Sequence, residues 1–238
     1  MKYLFLWLEG TLQSWGADSR FDFRKTMDFP TKSGIYGMLL ASSGDGGPQE
    51  ELLAQMADAP MSVVTFIPCS RKLQDFHMVG NGYDEKDKWQ SLHIPRKSDG
   101  GKAVGGGAKL TYREYLQEQC FAVSLGLPDD LARKFSKSLQ NPVFDLYLGR
   151  KCCVPSEMIF QGLFASEEEV WNALKEKIAK RNVDNKVPLT PQWLIREAPD
   201  WVDSTSMLLN DVPLRFGPHH LYRDRWVTYQ EFEPSTSE

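Results

Sequence analysis

Two short stretches carry residue types from which an anion site can be built. The first is Phe29-Pro30-Thr31-Lys32-Ser33-Gly34, followed by Ile35, Met38 and Leu39 at i, i+3, i+4 spacing. Proline and threonine ahead of that apolar pattern mark a helix start. The backbone N–H groups at such a start, together with the helix dipole, favour an anion, phosphate first among them. Lys32 adds charge, Ser33 a hydroxyl, and Gly34 room for a backbone to approach; the same residues serve equally as a plain helix cap. This is not a Walker loop, because no glycine stands five residues ahead of a Gly-Lys-Ser/Thr. The second stretch is Tyr147-Leu148-Gly149-Arg150-Lys151. Arg150 can grip a phosphate through two parallel N–H bonds, which a lysine cannot. The plainer alternative is a surface turn with two solvated cations.

A third stretch, Gln13-Ser14-Trp15-Gly16, offers an aromatic face on which an unpaired base can stack, or else a ring packed beneath a loop. The histidines (His77, His93, His219 and His220) have no metal-binding spacing. Metal-free RNA cleavage would need His77 or His93 beside Lys109, Tyr112 or Tyr115, and spacing alone does not bring those together. A phosphate clamp without a nucleophile points to a protein that holds nucleic acid.

Charge agrees with a specific ligand better than a general one. The 238 residues carry a formal net charge of −4, with 41% hydrophobic and 25% charged residues. Residues 1–155 hold 19 Lys/Arg against 18 Asp/Glu, whereas 156–238 hold 9 against 14. From Cys69 to Arg113 the count is 9 against 5, a local basic excess on an acidic body. Cys69, Cys120, Cys152 and Cys153 lack C-x-x-C spacing and read as reduced thiols. The apolar start, Tyr3 to Leu8, is too short for a signal-peptide core, and no run reaches a membrane span, so the cytoplasm is expected.

The elements that must position these groups follow from periodicity. Tyr3–Leu8 is a strand buried on both faces. Residues 11–30 lack a helical period and form a basic loop with Arg20, Arg24 and Lys25. A helix follows from Pro30-Thr31, then a short helix at Gln49–Ala57 and a strand at Met61–Pro68. Phe121–Leu125 is a strand, Pro128–Leu139 a helix opened by Asp129 and Asp130, and Phe144–Leu148 a strand. That order is the split β-α-β of a ferredoxin-like or RNA-recognition-motif sheet, an α+β fold. Between its middle strands lies a long insertion, about 70–112, with glycines at its tip (Gly100, Gly101, Gly105, Gly106 and Gly107) beside Lys97, Lys102 and Lys109. It reads as an extended, flexible, basic projection, or a surface loop with no ligand. Past residue 165, Glu167-Glu168-Glu169 opens an amphipathic helix. The expected division is 1–155, an RNA-binding ferredoxin-like domain, and 156–238, a β-rich region with a helical segment.

Five blocks in order resemble the CasD family, the subunit of type I-E CRISPR Cascade that holds the 5′ end of the guide RNA. They are Leu8-Glu9-Gly10-Thr11-Leu12-Gln13-Ser14-Trp15-Gly16; Phe29 to Gly34 with Gly37; Asp75-Phe76-His77; Tyr112-Arg113-Glu114-Tyr115-Leu116; and Tyr147 to Cys152. A weaker echo is Asp211-Val212-Pro213 with Tyr222-Arg223-Asp224-Arg225.

The resemblance implies a modified RNA-recognition motif with a β-hairpin thumb and a small C-terminal β region. It implies a non-catalytic subunit that grips the crRNA 5′ handle and caps the backbone filament beside the large subunit. Target DNA would be met only through the complex, and neither cofactor nor membrane is involved. Relatives in type I-C cut the precursor with a Tyr, Lys and His set; here no adjacent Lys-His pair follows the glycine-rich tip. By the resemblance, Lys32, Ser33 and Gly34 meet handle phosphates, while Arg150 and Lys151 hold the neighbouring backbone. His77 and Arg113 frame the exit toward the filament, and Gln13 and Trp15 contact bases. Arg20, Arg24, Lys25, Lys102, Lys109, Tyr147 and Gly149 complete the candidate RNA-binding set. The alternatives are a metal-independent endoribonuclease that processes precursor crRNA and a protein-only assembly module.

Overall fold

The apolar run near the start of the chain becomes β1 (Lys2–Gln13), and Leu4 to Leu8 are all buried. A strand apolar on both sides needs cover on both faces. On one face Leu4, Leu6 and Leu8 pack with Ile35 and Leu39 of α1 (Lys32–Ser43) and Phe135 of α3 (Asp129–Gln140). On the other, Phe5 and Trp7 pack with Val170 and Leu174 of α4 (Glu167–Asp184). The computed structural model describes residues 1–16, 19, 22–67, 72–80, 99, 108–184 and 188–232.

One long strand organises the sheet. The C-terminal half of β7 (Ala108–Leu127) lies antiparallel between β1 and β5 (Met61–Ile67). Its N-terminal half pairs with β6 (Lys72–Gly80) to make the projecting hairpin. Beyond β1 lies β8 (Phe160–Phe164), also antiparallel. The inner order is therefore β5-β7-β1-β8, with α1 and the short α2 (Glu50–Met56) between β1 and β5, and α3 between β7 and β8. Beyond β5, β9 (Thr190–Ala198), β11 (Leu221–Glu231) and β10 (Ser206–Arg215) continue the same nine-stranded sheet. The sheet runs unbroken across residue 155. The chain is thus α+β with a mostly antiparallel sheet, and among the described residues no helix is long and apolar enough to cross a membrane.

Two expectations need correction. The fourth inner strand is Phe160–Phe164, not Phe144–Leu148. Val143 and Phe144 instead donate their backbone N–H groups to the Ser42 and Ala41 carbonyls, satisfying the end of α1. The described residues between 11 and 30 also form strands: β1 extends to Gln13, Trp15–Gly16 (β2) pairs with Thr26–Met27 (β4), and Phe23–Arg24 (β3) joins β7 in parallel. The insertion's tip, with Lys102 and its glycines, lies outside the described residues.

Candidate nucleic-acid interface

The start of α1 is capped from within the chain. The Thr31 hydroxyl accepts the Gly34 N–H at 3.3 Å, as an N-cap should. The Lys32 N–H donates to Asp211 Oδ2 at 2.7 Å. The Lys32 side chain is 1% exposed, and its Nζ donates to Glu197 Oε1 at 2.8 Å and the Ala57 carbonyl at 3.1 Å. Arg225 joins Glu197 to Asp211, with bonds of 2.9 Å to the first and 2.7 and 2.9 Å to the second. Burial lowers the Lys32 pKa, with Glu197 acting against it. The sequence-based expectation that the Lys32 ammonium meets phosphate is therefore corrected: that charge ties α1 to β9. Ser33 alone of its trio keeps a partly exposed side chain, on a groove of about 550 Å³ shared with Asn210 and Tyr222.

Gln13 and Trp15 are also corrected, because both are completely buried. Gln13 Nε2 donates to the Leu8 and Gln119 carbonyls at 3.1 and 2.6 Å, and Trp15 Nε1 donates to Gln13 Oε1 at 3.1 Å. Around this hub the specific glycines close. A Cβ on Gly34 would stand 2.8 Å from the Trp15 ring, so Gly34 serves packing. Gly149 has φ +97° and abuts the Ser14 carbonyl, so a side chain there collides. The Ser14 N–H donates to the Leu148 carbonyl at 3.0 Å, docking the second stretch against the first.

Exposed and half-buried cations gather elsewhere, where the β6–β7 hairpin leaves the sheet. Thr111, Arg113 and Tyr115 share one face of β7 by the pleat, opposite His77, Asp75 and Leu73 of β6. Arg24 pairs beside Arg113 through β3. Arg150 reaches this corner, donating from Nη1 to the Glu114 carbonyl at 3.0 Å and from Nη2 to the Arg24 carbonyl at 2.9 Å. Its guanidinium lies 4.7 Å from the centre of the Tyr115 ring, a cation–π contact. Arg113 Nε donates to Thr111 Oγ1 at 3.3 Å, and His77 Nδ1 lies 3.8 Å from Asp75. Burial, then the Cys152 thiol beside it, holds the Tyr115 phenol above its usual pKa. Lys151 is exposed, as are Arg24 and Lys25; Tyr147 is half-buried. Arg20 and Lys102 lie outside the described residues, and so does the side chain of Lys109, whose backbone pairs with Val79. Among the described residues no cluster of His, Cys, Asp and Glu is placed to hold a metal ion.

The opposite face of the hairpin is aromatic and was not foreseen. Phe23 stacks on Tyr112 with ring centres 5.0 Å apart and planes 13° apart, and Phe76 lies 5.4 Å from the same ring. Phe23, Phe76 and Met78 are each more than half exposed. The signal was the alternation in Lys72–Gly80, which has meaning only once its register with β7 is set.

The family model described as CRISPR-associated protein (Cas_Cas5) matches residues 3–227, and the chain belongs to that family. It is 28% identical over 171 residues to the CRISPR system Cascade subunit CasD of Escherichia coli (strain K12), across 67% of this chain and 70% of that one. Among solved structures, a chain of a CRISPR RNA-guided surveillance complex superposes with a TM-score of 0.68 at 23% identity, covering 96% of this chain and 89% of that one. A second, titled crystal structure of Cas protein, gives 0.57 at 24% identity, covering 96% and 94%. At these identities the two structures speak for the fold.

Proposed function

We propose that this chain is a non-catalytic, RNA-binding subunit of a type I-E CRISPR Cascade complex. It holds the crRNA 5′ handle in the cytoplasm and caps the backbone filament beside the large subunit, meeting target DNA only through the assembly. Membership of the Cas5 family and the likeness to a Cascade subunit support the setting. The strand order β5-β7-β1-β8 with its two crossing helices supports a ferredoxin-like core.

The observation that carries the reading is the gathering of Arg24, Arg113 and Arg150 at one corner of the thumb root. Arg150 spends two of its five donors on carbonyls, which fixes the guanidinium and leaves donors for phosphate. Lys25, Lys151 and His77 add exposed donors nearby. Lys32, Gln13, Trp15, Gly34 and Gly149 act beneath as scaffold. Incubating the purified protein with its repeat RNA in EDTA tests the reading. Retention of intact RNA is expected; metal-free cleavage by the lone subunit would make it an endoribonuclease, and no retention would leave only the assembly role.

A further inference from the structure

We infer that a second cleft at the thumb root holds one unpaired base of the bound RNA, a proposal that rests on the RNA-binding reading above. The cleft measures about 390 Å³ and opens between the residues ahead of α1 and strands β5, β7, β9 and β11. That volume lies at the small end of the range of about 300–1,000 Å³ for ligand pockets, a size for one nucleoside.

Its walls have the chemistry of a planar heterocycle's site. Phe29, Trp193 and Tyr229 line it, the Phe29 and Tyr229 rings meeting edge to face at 87° with centres 5.9 Å apart. Gln119 is only 6% exposed and faces the cleft. Its backbone carbonyl accepts Gln13 Nε2 at 2.6 Å, yet its carboxamide has no hydrogen-bond partner among the described residues. Its amide nitrogen and oxygen are not sealed from solvent, so they can pair with a group that enters the cleft. An amide offers a donor and an acceptor side by side, and so does the edge of a base. At the mouth, Lys72 pairs with Asp28 at 2.7 Å, both well exposed. Such a pair is weak enough to yield its lysine to a phosphate.

The cleft also continues a stacking surface. Lys72 and Leu116 oppose each other in register, both line the cleft, and by the pleat they share a face with the Phe76–Tyr112 pair. A strand leaving the cleft therefore runs onto the exposed Phe23-Tyr112-Phe76 platform, as single-stranded nucleic acid binds stacked aromatics.

The test measures binding of handle RNAs, each carrying one abasic nucleotide, to wild type, Gln119→Leu and Trp193→Ala. One abasic position is expected to weaken wild type about tenfold. The two variants should bind intact RNA about threefold to tenfold more weakly and lose little further at that position. Circular dichroism verifies folding, and 5-iodouridine handle RNAs photocrosslinked to wild type give a readout free of mutation, with Trp193 or Tyr229 as the expected target. Tight RNA binding with no abasic position suppressed in the variants, and crosslinks only elsewhere, overturns the cleft proposal while sparing the RNA-binding reading. A partner protein's side chain crosslinked in the cleft overturns it too. No affinity for any handle RNA overturns both.

Discussion

The Asp211 carboxylate accepts a 2.7 Å hydrogen bond from the backbone N–H of Lys32, 179 positions away in the chain. The first turn of α1 thus carries an anion supplied by the protein, held at both oxygens by Arg225. A phosphate approaching there would meet a carboxylate, so the helix start is a joint between the inner sheet and β10.

Replacing the buried cation tests that joint. Lys32→Met leaves Glu197 with Arg225 as its remaining partner and should lower stability by about 2 kcal/mol in denaturant unfolding. Because burial lowers the Lys32 pKa from 10.5, its contribution is fullest above 10.5 and falls as pH drops through the lowered value. The wild-type advantage over Lys32→Met should therefore grow as pH rises toward 10.5. RNA affinity and its salt dependence should stay as in wild type; a flatter salt slope in a folded variant would return Lys32 to the phosphate site.

Gly149→Ala should be severely destabilising. Its φ of +97° disfavours a side chain, and the added Cβ meets the Ser14 carbonyl. A loss of about 3 kcal/mol or more is expected, read by thermal unfolding. A melting temperature within a degree of wild type would show that the turn can shift.

Arg150 and Lys151 should separate cleanly. Arg150→Ala removes two bonds to carbonyls and the contact over Tyr115, costing about 2 kcal/mol of stability as well as RNA affinity. Among the described residues the exposed Lys151 side chain makes no hydrogen bond or ion pair, so Lys151→Ala should leave the unfolding midpoint unchanged while lowering the salt slope by roughly 1. Equal stability losses would contradict the division of roles.

The thiols report the same corner. Cys152 is exposed and 3.6 Å from the Tyr115 hydroxyl; Cys120 and Cys153 are buried. Burial raises the Cys120 thiol well above its usual pKa and pushes that of Cys153 up to about 12, so neither offers thiolate near neutrality. Iodoacetamide followed by peptide mass spectrometry should label Cys152 and spare Cys120 and Cys153, and bound RNA should slow the labelling of Cys152. Labelling at an unchanged rate would move the RNA away from Arg150.

Local signals in the chain located the elements; the long-range partners stayed hidden. The apolar Tyr3–Leu8 run, the Pro30-Thr31 helix start and the Asp129-Asp130 helix start each became the element they announced. Phe144-Leu148 failed because its apolar alternation serves a helix end and one buried leucine, while the strand passes to Phe160–Phe164. The fate of Lys32 was illegible because Glu197 lies 165 positions away. Its one hint was the Asp211 and Arg225 pair among the weaker C-terminal blocks, which proved to be the other half of the joint. Arg24, Arg113 and Arg150 were each visible as cations; their meeting depends on the β3–β7 register.

The most direct measurement of the central claim is the salt dependence of handle-RNA affinity for a triple variant: Arg24→Ala, Arg113→Ala and Lys151→Ala, with the Arg150 brace intact. Loss of phosphate contacts at the thumb root should weaken binding and lower the slope of log K against log salt by roughly 2 to 3. A folded triple variant with the wild-type slope and affinity would contradict the account.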